Sequence, residues 1–142
     1  MFTKINYTRF GCLFILSLLY SGTLLAELIN INNAELQNLL NEQTLIIDVR
    51  RAEEWADTGV IESSQLLTFF DKNGDYNAEK WRTDISRFTD TSTPVIVICR
   101  SGSRSKVVSN WMVNTLGYET VYNVEEGILS WKRSAAKTVA PD

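Results

Sequence analysis

A run of β-branched residues that ends in a cysteine limits most strongly what this chain can fold into. The run is VIVIC, from Val95 to Cys99, with Pro94 before it and the polar segment RSGSRS after it. Its length and β-branched composition predict a buried strand, and TLIIDV, residues 44–49, is a second run of the same kind. Such strands alternate with helical patterns along the chain. The sequence therefore predicts an α/β domain with a mostly parallel central sheet flanked by helices.

The intervening patterns predict the remaining elements. The helices are placed over a segment that starts at Asn32 or Asn33, over 52–57, around Trp81, Ile85 and Phe88, over 103–116 and over 127–131; further strands are placed within 64–70 and at 120–124. Gly117 stands where the helix 103–116 is expected to end. One face of this helix carries apolar residues at helical spacing: Val107, Val108, Trp111, Met112 and Leu116. All four tryptophans lie in predicted helical segments and are expected to pack in the core. The residues after Trp131 are expected to form a loose tail.

The first 26 residues have the order of a secretory signal peptide. Lys4 and Arg9 precede the apolar stretch CLFILSLLY, SGTLLA follows it, and no acidic residue occurs before Glu27. The sequence predicts a signal peptide over 1–26 and a mature domain over 27–142, periplasmic or secreted and without stable membrane association after cleavage. An uncleaved anchor is the alternative, although the 17 residues from Phe10 to Ala26 are marginal for a span.

Charge and residue types exclude several classes of partner. The chain has a formal net charge of −3, which gives no reason to expect nucleic-acid binding. It contains no histidine, and the predicted mature part has one thiol, so no metal site and no cofactor is expected. DKNGDYNAEKWR begins like a calcium loop, but Tyr76 replaces the glycine of such a loop and Arg82 its last acidic ligand.

Cys99 is the cysteine that remains after signal cleavage, so it has no internal disulfide partner. Two interpretations are open: a small buried apolar residue, or a reactive thiol. The segment that follows favours the second, because it contains no proline and leads into a helix N-terminus. Its backbone N–H groups and two guanidinium groups can then stabilise an anion next to the sulfur. The residues predicted to form this anion cradle are Arg100, Ser101, Gly102, Ser103 and Arg104. The absence of histidine excludes an imidazole base, so a thiolate must be stabilised electrostatically.

The length of this loop separates two kinds of anion. Cysteine-dependent phosphatases also place a nucleophilic cysteine and an arginine around a ring of amides before a helix. Here four residues lie between Cys99 and Arg104, one fewer than in those enzymes. The tighter ring favours a single extra sulfur over a tetrahedral phosphate.

Three separated segments resemble the single-domain rhodaneses, which are thiosulfate:cyanide sulfurtransferases. IIDVRRAEEW, residues 46–55, matches the family's strand and turn, CRSGSRS, residues 99–105, matches its active-site loop, and LGYETVYNVEEGILSW, residues 116–131, matches its closing strand and helix. The matching positions are Asp48, Arg50, Glu54 and Trp55, then Cys99, Gly102, Arg104 and Ser105, then Gly117, Val121, Asn123, Gly127, Ile128 and Trp131. The chain departs from the family at Val60, where a histidine is common, and at Ser63-Ser64, where Gly-Ala is common.

The resemblance implies a rhodanese-like fold and a catalytic Cys99 that carries a persulfide. It implies that the loop from Arg100 to Arg104 binds the substrate sulfur, that the donor is thiosulfate or a similar anion, and that cyanide or a thiol is the acceptor. Arg100 is expected to steer the donor, and Arg104 to brace the loop against Asp48, with Asp48 and Arg50 as supporting residues. A persulfide carrier or sulfur-sensing module without turnover remains an alternative, as does a phosphatase or arsenate reductase on the same fold.

Overall fold

The computed structural model describes residues 26–142, so the predicted signal peptide lies outside the described residues apart from Ala26. The described part forms one sheet with helices on both faces. Its strands are β1 Glu27–Ile31, β2 Leu45–Asp48, β3 Gln65–Leu66, β4 Val95–Ile98 and β5 Thr120–Val124. Its helices are α1 Asn33–Asn41, α2 Ala52–Thr58, α3 Ala78–Ile85, α4 Ser103–Trp111 and α5 Gly127–Arg133, and a π-helical segment, Met112–Leu116, continues α4. No helix among these residues is long and apolar enough to cross a membrane.

The five strands of this sheet are all parallel, in the order β1-β5-β4-β2-β3. This confirms the predicted α/β class, and the sheet is entirely parallel where the sequence predicted a mostly parallel one. Strand β1, with the sequence ELINI, was not predicted; its five residues directly precede the predicted start of a helix. β1 completes the sheet by pairing along its whole length with β5.

Two apolar clusters cover the two faces of the sheet, as an all-parallel sheet requires. One cluster contains Trp81, Ile85, Val108 and Met112 from α3, α4 and its continuation, and the other contains Leu36, Ile128 and Trp131 from α1 and α5. Trp81 and Trp111 contact each other edge to face with ring centroids 5.8 Å apart, while Trp55 is only half-buried.

Three expectations from the sequence, two about single residues and one about the tail, are wrong. Phe88 lies beyond the end of α3 and is 47% exposed, because the helix stops at Ile85. Val107 is 55% exposed, since the buried stripe of α4 runs through Ser105, Val108 and Ser109 instead. The tail is attached to the domain: Val139 pairs with Val60 in an antiparallel bridge, and the Lys137 carbonyl accepts a hydrogen bond from Trp131 Nε1 at 3.0 Å.

The sheet register brings the two characteristic segments of the sequence to one edge. Asp48, the last residue of β2, lies beside Ile98, the last residue of β4. The Val49 N–H continues the ladder by donating to the Ile98 carbonyl at 3.0 Å. Arg50 and Cys99 therefore both follow the carboxyl ends of neighbouring strands, which is where parallel α/β sheets bind ligands.

Candidate active site

Helix α5 fixes the position of Cys99 through hydrogen bonds to the start of the active-site loop. Cys99 follows β4 and is fully buried. Its carbonyl accepts from the Ile128 N–H at 2.9 Å, and the Arg100 carbonyl accepts from Leu129 at 3.2 Å. A Cβ on Gly127 would come within 2.5 Å of the Cys99 and Arg100 carbonyl oxygens, so only glycine allows this approach. The first turn of α5 thus holds the start of the loop.

Two donors contact the sulfur directly. The Gly102 N–H lies 3.1 Å from Cys99 Sγ, and the Ser105 hydroxyl lies 3.3 Å from it. The same hydroxyl is also 3.1 Å from the Gly102 carbonyl, so its one proton can turn to either acceptor. Both donors favour a negatively charged sulfur. Sequence reasoning counted Ser105 among the matching positions but gave it no role in the chemistry.

Gly102 allows the chain to turn sharply between the cysteine and the helix. Its φ of +91° is in the left-handed region, and a Cβ there would lie 1.7 Å from the Glu125 carbonyl oxygen. α4 begins at the next residue, so its N-terminal dipole faces the loop. The strand, loop and helix arrangement predicted from the sequence is therefore present.

Arg104 is braced by Glu54 and not by Asp48. Its two terminal nitrogens donate to the two carboxylate oxygens of Glu54 at 2.8 and 2.6 Å. This bidentate bond, aided by a backbone N–H from Arg51, lowers the pKa of Glu54 from 4.5 to about 2. The same pair raises the pKa of Arg104, to which the nearby Cys99 and Asp48 add smaller contributions. The expectation of an Asp48 partner is wrong because Asp48 is occupied by another arginine.

Arg50 is that arginine, and it is fully buried beside Asp48 with 2.6 Å between Nη2 and Oδ2. Its other N–H groups reach the Glu54 carbonyl at 3.2 Å, the Thr58 hydroxyl at 2.6 Å and the Gly59 carbonyl at 2.9 Å. All of its donors are therefore used inside the domain, and none is directed to a substrate. The pair holds α2 against the end of β2, and α2 presents Glu54 to the loop.

The remaining predicted loop residues line the outer side of the site. Arg100, Ser101 and Ser103 are exposed, and no ion pair of the described residues includes Arg100. The loop thus has an inner set of groups that contact the sulfur and an exposed cation at its mouth. Within residues 26–142, no group of three or more His, Cys, Asp or Glu side chains is placed to hold a metal ion.

Comparison with known proteins gives one family match. The family model described as "Rhodanese-like domain" matches residues 32–134. A relative from Rickettsia prowazekii, the uncharacterized protein RP600, is 30% identical over 92 residues, which are 63% of this chain and 72% of the relative.

Solved structures of other proteins share the fold, among them two whose descriptions name different activities. The thiosulfate sulfurtransferase of Pseudomonas aeruginosa is 22% identical with a TM-score of 0.63, over 80% of this chain and 20% of that one. RPA3614 of Rhodopseudomonas palustris, described as a possible tyrosine phosphatase, is 18% identical with a TM-score of 0.57, over 79% of this chain and 85% of that one.

Proposed function

The chain belongs to the rhodanese-like domain family, and on that premise we propose that it is a sulfurtransferase that works through a Cys99 persulfide. The donor is thiosulfate or a similar anion, and the acceptor is cyanide or a thiol. One observation carries the proposal: the Gly102 amide and the Ser105 hydroxyl lie 3.1 and 3.3 Å from Cys99 Sγ. These donors are suited to a single charged sulfur and need no imidazole.

The proposed reaction has two steps. In the first, the Cys99 thiolate forms a bond to the outer sulfur of thiosulfate. The S–S bond of thiosulfate breaks, and its electron pair leaves with sulfite. In the second, the acceptor bonds to the outer sulfur of the persulfide, and the electron pair of the persulfide S–S bond returns to Sγ. No external oxidant or reductant is consumed.

The loop residues have different parts in this proposal. The loop amides from Arg100 to Arg104 surround the outer sulfur, with the N-terminus of α4 behind them. Arg100 attracts the anionic donor from solution. Arg104 is bonded to Glu54 and half-buried, so it holds the loop in shape and adds positive potential. Asp48 and Arg50 support this arrangement by positioning α2.

Two other functions make different predictions for the same protein. A persulfide carrier or sensor would load one sulfur and release it only to a specific partner, without steady turnover. A phosphatase would need an acid for its leaving group, and every carboxylate that contacts this loop through a side-chain hydrogen bond is already paired with arginine. The sulfurtransferase is therefore favoured over the phosphatase.

Intact mass spectrometry tests the proposal directly. Thiosulfate should add the mass of one sulfur atom to the protein, and cyanide should remove it with formation of thiocyanate in many turnovers. The Cys99→Ser variant is the matched control and should gain no mass, because a serine hydroxyl is scarcely ionised near neutral pH. Loading without turnover would favour the carrier, and Cys99-dependent hydrolysis of an aryl phosphate would favour the phosphatase.

Export is a further part of the proposal and rests on the N-terminal sequence alone. The order of charges and apolar residues in 1–26 supports cleavage before Glu27 and function in the periplasm or outside the cell. Expression in a Gram-negative host should give periplasmic protein whose N-terminal sequence begins at or near Glu27. Full-length chain in the membrane fraction would contradict cleavage.

A further inference from the structure

A groove of about 480 Å³ runs beside the active-site loop, between the first turns of α4 and the turn at residues 71–74. We propose that this groove, called the Lys72 groove below, binds the tail of an organic thiol acceptor that carries a carboxylate on an apolar stem. Lys72 is the residue that selects for the carboxylate. The proposal deepens the proposed function, because it names the class of thiol that removes sulfur from Cys99. The wall residues that carry it are Phe70, Lys72, Ser103, Arg104 and Val107.

The groove and the loop around Cys99 share part of their wall. Ser103 and Arg104 line the groove, and both lie in the first turn of α4, directly after the loop that begins at Cys99. A molecule lying in the groove therefore contacts the segment that follows Cys99 at these two residues. Cyanide has two heavy atoms and thiosulfate five, whereas grooves of roughly this volume hold small organic molecules in other proteins. The space beside the loop is thus suited to a larger co-substrate.

The groove has an exposed apolar surface. Val107 is 55% exposed although it lies one turn along α4 from the loop, and Phe70 is half-buried on the opposite side. Phe69, the neighbour of Phe70, holds this segment in the core through edge-to-face contacts with Trp81 and Trp111. An apolar stem placed against Val107 and Phe70 would remove their surface from water.

The charges on the groove leave one cation without a carboxylate partner. Arg104 is bonded to Glu54, and Arg51 pairs with Glu53 and Glu54. The carboxylate of Asp71 also lines the groove, but its Oδ1 accepts from the backbone N–H groups of Asn73 and Asp75 at 2.8 and 2.9 Å.

Lys72 is different, since no ion pair among the described residues includes it. Its position is also well fixed. The turn that carries it is closed by backbone bonds from Asp71 N–H to the Asp75 carbonyl and from Gly74 N–H to the Asp71 carbonyl, at 2.8 and 3.2 Å. A lysine on a closed turn above an apolar surface can bind an anionic group at the end of an apolar stem.

The transfer to such an acceptor is balanced. The acceptor thiolate bonds to the outer sulfur of the Cys99 persulfide, and the persulfide S–S bond breaks. Its electron pair stays on Sγ, and the acceptor leaves as its own persulfide. The Lys72 groove takes no part in bond making and determines only which thiol is bound.

Paired acceptors of equal length test the assignment. With thiosulfate as donor, sulfite release is followed with 6-mercaptohexanoate and with 6-mercaptohexan-1-ol, which differ only in the carboxylate. The native chain should prefer the carboxylate by about fivefold in kcat/KM, the upper range for an exposed ion pair. Lys72→Met should remove this preference. Lys106→Met is the matched control, because Lys106 is an exposed lysine of α4 that does not line the groove; the preference of this variant should equal that of the native chain.

Binding of unreactive analogues gives a readout that does not depend on sulfur transfer. Hexanoate should shift the NMR signals of the Val107 methyl groups at lower concentration than hexan-1-ol does, and Lys72→Met should make the two equal. An unchanged preference in Lys72→Met, or an equal loss in Lys106→Met, would overturn the proposal. Failure of sulfur transfer to every acceptor, cyanide included, would instead overturn the proposed function, while the hexanoate experiment would still decide whether Lys72 selects a carboxylate.

Discussion

Arg104 and Glu54 are 50 residues apart in sequence and are joined by two hydrogen bonds of 2.8 and 2.6 Å. This pair connects the active-site loop to α2, a helix that itself contributes no group to the sulfur. The Asp48–Arg50 pair in turn fixes α2 through the Glu54 and Gly59 carbonyls. The shape of the loop therefore depends on a chain of bonds that begins at the end of β2.

Replacement of Glu54 should change the stability of the domain in acid. The pKa of Glu54 is lowered from 4.5 to about 2, so its contribution is complete above pH 4.5 and is lost as the pH falls through about 2. Glu54→Gln should lower the unfolding free energy at pH 7 by about 1 kcal/mol, because the pair is partly open to solvent. The Glu54→Gln variant should also lose less unfolding free energy than the native chain when the pH is lowered from 4.5 to about 2. Urea denaturation at a series of pH values measures both effects, and a curve parallel to that of the native chain would contradict the pairing.

Loss of Arg50 should be much more costly than loss of an exposed arginine. Arg50→Met leaves the Asp48 carboxylate fully buried without its cation, which should cost about 3–5 kcal/mol of unfolding free energy. Arg82→Met, which removes an exposed pair with Glu79, is the control and should cost about 0.5 kcal/mol or less. Equal losses in urea denaturation would show that the Asp48–Arg50 pair is not the support described above. The double variant Asp48→Leu/Arg50→Met should recover part of the loss, since no charge is then left buried.

Gly102→Ala should damage the site more than the fold. The added Cβ would meet the Glu125 carbonyl at 1.7 Å, so the loop must move and the Gly102 N–H must leave the sulfur. Displacement of a catalytic group by about 1 Å is expected to cost roughly 100-fold in kcat/KM. Gly117→Ala is the control, because its φ is also positive, at +77°, and nothing lies within 4 Å of its Cβ. This control should lose about 1 kcal/mol of stability and keep its thiocyanate formation; a loss of activity equal to that of Gly102→Ala would contradict the explanation.

Ser105→Ala should slow persulfide formation without unfolding the protein. It removes the hydroxyl that lies 3.3 Å from Cys99 Sγ, and a hydrogen bond to a charged group of this kind corresponds to a rate loss of about tenfold. Ser109→Ala is the matched control, because Ser109 is equally buried on the same helix and its hydroxyl has no partner. Single-turnover loading with thiosulfate should separate the two. Equal rates in both variants would show that the hydroxyl does not act on the sulfur.

The Ser63-Ser64 pair should lower the stability of the native chain. Ser63 has a φ of +67°, which costs a serine about 1 kcal/mol relative to glycine, and the Ser64 hydroxyl is buried without a hydrogen-bond partner. Ser63→Gly and Ser64→Ala, the residues common in the family at these positions, should each raise the midpoint of urea denaturation. A lower midpoint in both variants would mean that the two serines make contacts other than those described.

The other departure from the family pattern is explained by the tail. Val60 is buried and pairs with Val139, with both N–H to carbonyl distances at 2.9 Å. A valine suits this position, which the tail covers with strand-like pairing, better than the histidine that is common in the family. The tail was expected to be loose because chain termini are usually poorly ordered unless they are tied down, and these two backbone hydrogen bonds attach it to the domain.

Local patterns in the sequence were sufficient for the fold class and for the loop. The β-branched runs that end at Val49 and Cys99 predicted the buried strands. The length and the side-chain branching of a run are local properties, and they favour a strand without reference to the rest of the chain. Gly102 and the absence of proline predicted a tight loop with free amides, because both are properties of the backbone at those residues. The resemblance to the rhodaneses rested on these same segments, and the family match confirmed it.

The partners of the charged and exposed residues were decided by the tertiary structure. Which carboxylate reaches Arg104 depends on where α2 lies, and that is set by the burial of Arg50 against Asp48. The orientation of the Ser105 hydroxyl towards the sulfur depends on the angle at which α4 leaves the loop. The exposure of Val107 depends on which face of α4 meets the sheet. Each of these relationships depends on how separate helices and strands pack, so it is determined only when the sheet register and helix packing bring the segments together.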